Sequence, residues 1–227
     1  MSKIIITVDG FSSCGKSTLA RELATKLQYV FVDSGAMYRA ITLFFLREKI
    51  DFNKEDEIIT ALKKIELRFK FNANTSISDM YLNDENVEIQ IREMNVNEYV
   101  SEVSTIKQVR NFAVAQQQKM GVDKGVVMDG RDIGTAVFPN AELKLFITAK
   151  PEIRAERRFK ELEQKGINIS IEEVRNNLEK RDFIDSTREI SPLKKADDAI
   201  VIDNSFLTRE EQLEEVLSLA LEIIGKS

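Results

Sequence analysis

A chain of 227 residues, 43% hydrophobic and 31% charged, suits one compact domain with a small inserted lobe and excludes disordered and fibrous architectures. It holds no histidine and one cysteine, Cys14, which excludes an intramolecular disulfide, a Cys/His zinc site and the imidazole-dependent hydrolases of the Ser-His-Asp and papain types. The net charge of -5 argues against broad nucleic-acid binding, and the longest apolar run, residues 40–46 broken by Thr42, falls far short of the roughly 18 to 20 residues of a membrane span.

Residues 4–8, Ile-Ile-Ile-Thr-Val, are too short for the core of a secretory signal and are expected to form the first strand. The absence of disulfides suggests the cytoplasm. Leu19, Leu23 and Leu27 then recur every four residues, with Ser17 and Thr18 where a helix begins. A second strand is expected over 29–32 and a helix-like stretch over 36–49. Asn53 is expected to cap a helix over 54–64, with Glu55 and Asp56 near its positive end. From 66 to 96 the pattern changes to alternation. Residues 67–71, 79–82 and 87–91 read as three antiparallel strands, with turns supplied by Asn72, Asn74 and Ser76 and by residues 83–86. Apolar runs at 126–128, 143–148 and 199–202 lack clean alternation and are separated by helical patterns, as in strands covered on both faces. Pro151 opens a helix, and the stripe Leu213, Val216, Leu217, Ala220 and Ile224 closes the chain with another. The expected class is α/β: a five-stranded parallel sheet with flanking helices and a small antiparallel three-stranded insertion.

Between the first strand and the first helix lies Gly10-Phe11-Ser12-Ser13-Cys14-Gly15-Lys16-Ser17, a match to G-x-x-x-x-G-K-[ST]. Such a loop turns its backbone N–H groups around phosphate oxygens, with the positive end of the helix behind them. Lys16 is expected to bridge the β and γ phosphates, and Ser17 to place a hydroxyl on Mg²⁺. Asp129, ending the strand at 126–128, stands where a second carboxylate would hold the metal, directly or through a water. Cys14, beside a helix N-terminus, is either a reactive thiol that bound ATP would protect or an inert small buried residue. The phosphate loop names a nucleoside triphosphate and not the reaction. Asn53-Lys54-Glu55-Asp56 matches the guanine-reading N-K-x-D of a GTP switch, but it follows a helix-like stretch and the chain contains no D-x-x-G.

Two further motifs, Asp33-Ser34-Gly35-Ala36-Met37-Tyr38-Arg39 and Asp129-Gly130-Arg131-Asp132-Ile133-Gly134-Thr135, each follow a strand directly, at the sheet edge where open parallel sheets collect ligands. With the R-D-x-x-D-S-x-R run from Arg181 to Arg188 and the continuation to Pro139, they make the chain resemble the bacterial cytidylate kinases nearly end to end. The resemblance implies a P-loop nucleoside monophosphate kinase fold, a single domain over 1–227. Its core would be 1–65 and 97–227, its insertion 66–96 and its lid 151–190. It implies ATP as donor with Mg²⁺, CMP or dCMP as acceptor, and a monomer. ATP would lie against Gly10 to Thr18 and the lid residue Arg157. Ser34, Ser101, Arg110 and Asp132 would surround cytosine; Tyr38, Arg39 and Arg131 the acceptor phosphate; Arg181 and Asp185 the ribose. Arg188 would enter the same closing pocket, and Lys16, Arg131, Arg157 and Arg188 would carry the transfer. The chemistry is consistent: a carboxylate can accept from the cytosine amino group while an arginine donates to O2 and N3. The residues alone leave other fates open. Arg181, Asp185 and Arg188 would also suit a surface salt-bridge ladder, Arg154, Arg157 and Arg158 a solvated helix rim, and Tyr38 simple core packing. A UMP or dTMP kinase is the neighbouring alternative. The family usually has a proline and a further glycine where this chain has Phe11 and Ser13.

Overall fold

The computed structural model describes residues 2–72 and 77–226. In chain order these form β1 (Ile5–Gly10), α1 (Lys16–Leu27), β2 (Val30–Asp33), α2 (Ser34–Arg47), α3 (Glu55–Leu62), β3 (Leu67–Asn72), β4 (Ile77–Leu82), β5 (Glu85–Asn86), α4 (Met94–Val103), α5 (Lys107–Met120), β6 (Val126–Gly130), β7 (Leu143–Thr148), α6 (Pro151–Gln164), α7 (Ile171–Thr187), β8 (Ile200–Asp203) and α8 (Arg209–Lys226). They divide into two compact bodies, Met1–Phe31 with Asp123–Ser227, and Val32–Val122, the boundary falling within β2.

The first body holds the five-stranded sheet, in the order β2-β6-β1-β7-β8. β1 is central and runs parallel to both neighbours, with Val8 opposite Asp129 on β6 and Leu145 on β7. A strand so placed is covered on both faces, which is why its sequence lacks the alternation of a half-wet strand. Ile4, Ile6 and Val8 pack with Leu19 and Leu23 of α1, Leu145 and Ile147 of β7, and Val216 and Ala220 of α8. The parallel order brings the carboxyl ends of β1 and β6 side by side, and the phosphate loop and the Gly130-Arg131-Asp132 turn leave from those ends. α6 and α7 pack on each other through a small core of their own, Ala155, Leu162, Val174 and Leu178. Among the described residues no helix is long and apolar enough to cross a membrane.

In the second body α2 packs against α4, α3 against α5, and β3, β4 and β5 form the antiparallel sheet. Two expectations need correction here. The third strand is Glu85–Asn86 and not 87–91. Asn83 and Asp84 both take positive φ, which closes a tight hairpin turn and starts the return strand two residues earlier. Val87 and Ile91, spaced by four, are then buried on one side of a helical turn over Gln90–Arg92, while Ile89 is 80% exposed. The run Val-Glu-Ile-Gln-Ile satisfies both a period of two and a spacing of four, and burial selected the latter. The second correction concerns Asn53, which does not cap α3: the helix begins at Glu55, and Asn53 donates its backbone N–H and its side-chain amide to Asp51. Arg188 caps the C-terminus of α7, its N–H donating to Ile184 O. Asn74 and Ser76, read as turn residues, lie outside the described residues.

α7, which carries Arg181 and Asp185, starts with a capping box: Ser170 Oγ accepts from Glu173 N–H, and the Glu173 carboxylate accepts from Ser170 N–H. Ser170→Ala removes the acceptor of the Glu173 N–H and is expected to lower stability by about 1 kcal/mol in denaturant titration.

Candidate active site

The phosphate loop leaves β1 at Gly10, whose φ is 147°. A Cβ there would stand 2.0 Å from the Ile147 carbonyl oxygen of β7, so only glycine lets the loop depart this close to the sheet. Phe11 then packs edge-on against Phe146 at 5.8 Å, and the Arg154 guanidinium lies over its ring, 5.3 Å from the centroid. Ser13 holds φ 57°, the left-handed region that glycine adopts freely. Lys16, the first residue of α1, is 5% exposed, and its Nζ donates to Phe11 O at 2.5 Å. Burial, followed by the charge of Arg131, makes Lys16 easier to deprotonate than an ordinary lysine, with Cys14 and Asp129 opposing. A phosphate polyanion beside it would favour its charge. Cys14 is fully buried, and its Sγ donates to Phe11 O and Ile147 O, so it sits as a small core residue.

Ser17 Oγ donates to Asp129 Oδ2 at 2.5 Å, uniting the loop's hydroxyl with the buried carboxylate at the end of β6. One hydroxyl and one carboxylate, with no cluster of three or more Asp, Glu, His or Cys among the described residues, fit a cation that takes its remaining oxygens from phosphates and water. They do not fit one caged by protein.

Next to this stands an interleaved set of charges. Arg131 donates to Asp185 at 2.8 Å and to Ser12 Oγ at 3.1 Å; Arg188, itself buried, donates to Asp132 at 3.1 Å and lies 3.5 Å from Asp185. Burial pushes the Asp185 carboxyl up, but Arg131, Arg188 and Arg181 outweigh burial and hold it below the usual carboxylate range. The spacing of Arg181, Asp185 and Arg188 therefore does not build a solvated ladder, since Asp185 and Arg188 are inside. On α6 the three arginines part company. Arg158 pairs with Glu161 at the surface, Arg157 donates to both Asn204 Oδ1 and Asn204 O, and Arg154 binds Ser12 O and Asp182. Asp182 also accepts the Ser12 N–H.

In the second body Asp33 caps α2 by accepting the Ala36 N–H, and Arg92 holds Asp33 at 3.1 Å. Burial raises the Asp33 carboxyl, and Arg92 and Arg39 more than reverse the effect. The first turns of α2 thereby present Ser34, Tyr38 and Arg39, the last with its Nε 3.4 Å from Asn97 Oδ1. Arg110 is 1% exposed; its guanidinium lies 5.5 Å over the Tyr38 ring and donates to Ser104 O, one turn along from Ser101. Tyr38 thus packs, as an aromatic there would, and also faces a cation. The structure groups Ser34, Tyr38, Arg39, Ser101 and Arg110 in this body, and Lys16, Ser17, Asp129, Arg131, Asp132, Arg157, Arg181, Asp185 and Arg188 in the other.

Sequence reading missed three contributors. Asp9 binds the turn after β6, Asp182 binds the phosphate loop, and Asn204 binds both Cys14 O and Arg157. The one available signal was the pairing of Thr7 and Asp9 on a single face of an otherwise apolar strand.

The sequence model of a family described as cytidylate kinase matches residues 6–222. A protein named cytidylate kinase from Flavobacterium johnsoniae is 56% identical over 227 residues, 99% of each chain, and one from Flavobacterium psychrophilum is 57% identical over 223 residues, 96% of this chain and 98% of that one. Among solved structures, an uncharacterized protein from Eubacterium ventriosum shares the fold, with a TM-score of 0.50 at 12% identity over the whole of both chains.

Ser13 in the left-handed region costs roughly 1 kcal/mol. Ser13→Gly is expected to raise the melting temperature by about 1 to 2 °C, equivalent to about 0.5 kcal/mol after the added flexibility of glycine in the unfolded chain.

Proposed function

Since the chain belongs to the cytidylate kinase family, we propose that it transfers the γ-phosphoryl of Mg-ATP to the 5′-phosphate of CMP or dCMP, giving ADP and CDP or dCDP. The observation that carries this reading is the interleaved cluster of Arg131, Arg188, Asp132 and Asp185 beside a buried lysine at the head of a phosphate loop. The attacking oxygen belongs to a phosphate that is already charged, so a chain with no histidine lacks nothing the reaction needs. The difficulty is to bring two polyanions to bonding distance, and arginine forks meet it by donating to phosphate oxygens in pairs.

In this reading the loop amides and Lys16 hold the donor phosphates, and Arg157 adds its charge on the same side. Ser17 and Asp129 would hold Mg²⁺, which supplies charge neutralisation on the β and γ oxygens when bound. Arg131, Tyr38 and Arg39 receive the acceptor phosphate. Asp132 accepts from the cytosine amino group while Arg110 donates to its ring acceptors, with Ser34 and Ser101 completing the base contacts. Arg181 and Asp185 take the ribose hydroxyls. Asp185 and Asp132 also keep Arg131 and Arg188 oriented before substrate arrives, so those arginines need little rearrangement at the moment of transfer.

Lys16→Ala removes the one lysine positioned on the transferring group, and CMP-dependent ADP formation is expected to fall by about 10² to 10³ in turnover. Near-normal turnover would remove the phosphate loop from the mechanism.

A further inference from the structure

β1 sends Ile6 and Val8 into the core, following Ile4 just before it, so its pleat turns Thr7 and Asp9 to the opposite face. Against that face sits a single π-helical turn, Ile133–Val137, which continues from Gly130-Arg131-Asp132. Asp9 is 4% exposed; its Oδ1 accepts the Ile133 N–H at 2.8 Å and its Oδ2 the Gly134 N–H at 2.7 Å. These are the first two amides of the turn, and Asp132, at the cap position, makes no side-chain cap of its own. The cap is thus supplied from another strand. Gly134 completes the fit: a Cβ there would come within 2.9 Å of Thr7 Oγ1 and 3.3 Å of Asp9 Oδ2. Immediately before the two gripped amides stand Arg131 and Asp132, each ion-paired at a distance set by where the turn sits.

From this geometry we propose that Asp9 is a positioning residue for the phosphoryl transfer: its two-pronged hold on Ile133 and Gly134 fixes the turn that aims Arg131 and Asp132. The inference rests on the function proposed above and extends it to a residue that touches neither nucleotide. A carboxylate is an expensive choice for this place. Burial pushes the Asp9 carboxyl up to about 6, against the two amides that lower it. Its contribution to stability is therefore greatest below about pH 4 and is lost as the pH rises through the folded value, so at neutral pH the ionised group costs stability. What it supplies is two acceptors at the spacing of two adjacent amides, which no neutral side chain of the same size offers.

Two substitutions break the same grip from opposite sides. Asp9→Asn keeps the volume but leaves one acceptor and turns an amide NH₂ toward the second N–H. Gly134→Ala keeps the carboxylate and forces the turn away from it. Steady-state kinetics on both purified variants and on the double variant should show turnover lowered at least tenfold and the KM for CMP raised, with the KM for ATP within about twofold. The double variant should be no worse than the poorer single one, because the two changes remove one interaction. Asp9→Asn or Gly134→Ala with unchanged turnover and unchanged KM for CMP would overturn the proposal. So would a loss confined to melting temperature, an equal rise in the KM for ATP, or multiplicative effects in the double variant. Absence of CMP-dependent turnover in the unsubstituted protein would instead overturn the functional reading.

Discussion

Cations cannot be buried around a phosphate loop unless anions are buried with them. Lys16, Arg154 and Arg188 are each less than a tenth exposed, and Arg131 stands among them. Isolated, any of these charges would cost several kcal/mol to remove from water. Here Asp132, Asp182 and Asp185 are threaded between them, and Ser12, Phe11 and Ser191 lend backbone oxygens. The result is a lattice of alternating charge held by β1, β6 and the far end of α7. In the function proposed above, a phosphate group entering it would meet donors already desolvated and already oriented. That is where a reaction needing no proton transfer to a base obtains its advantage.

The loop is tied to this lattice through its own side chains. Phe11 packs edge-on against Phe146 of β7 and under the guanidinium of Arg154, joining the loop to the sheet and to α6. Ser13 accepts a backbone conformation that glycine would adopt without strain. The amides of the loop keep their course because Gly10 and α1 fix its two ends.

The five parallel strands were legible as short apolar runs, and β1, β6 and β7 are covered as that pattern implies, whereas β2 and β8, at the sheet edges, leave Val30, Ile200 and Val201 exposed. The phosphate loop was legible because its chemistry is local, eight consecutive residues between a strand and a helix. α4 and α5 were not foreseen. The buried stripe of α5, Val109, Ala113 and Gln117, is short of large apolar residues, and Arg110, next to it, is buried although it is charged. The 87–91 segment was misread because its apolar spacing serves two periods. Asp9, Asp182 and Asn204 escaped for a different reason. Their partners lie 124, 170 and 190 residues away, and no local pattern announces a hydrogen bond between segments so distant in the chain.

The central claim is that this charge lattice serves transfer between ATP and a cytosine nucleotide. The most direct measurement is ADP formation from Mg-ATP by the purified protein, with CMP, dCMP, UMP, dTMP, AMP and GMP offered one at a time. Strong turnover with CMP and dCMP and weak turnover with UMP is the predicted result. Preference for UMP or dTMP would contradict the roles given to Arg110 and Asp132, and the absence of any acceptor-dependent turnover would contradict the account as a whole.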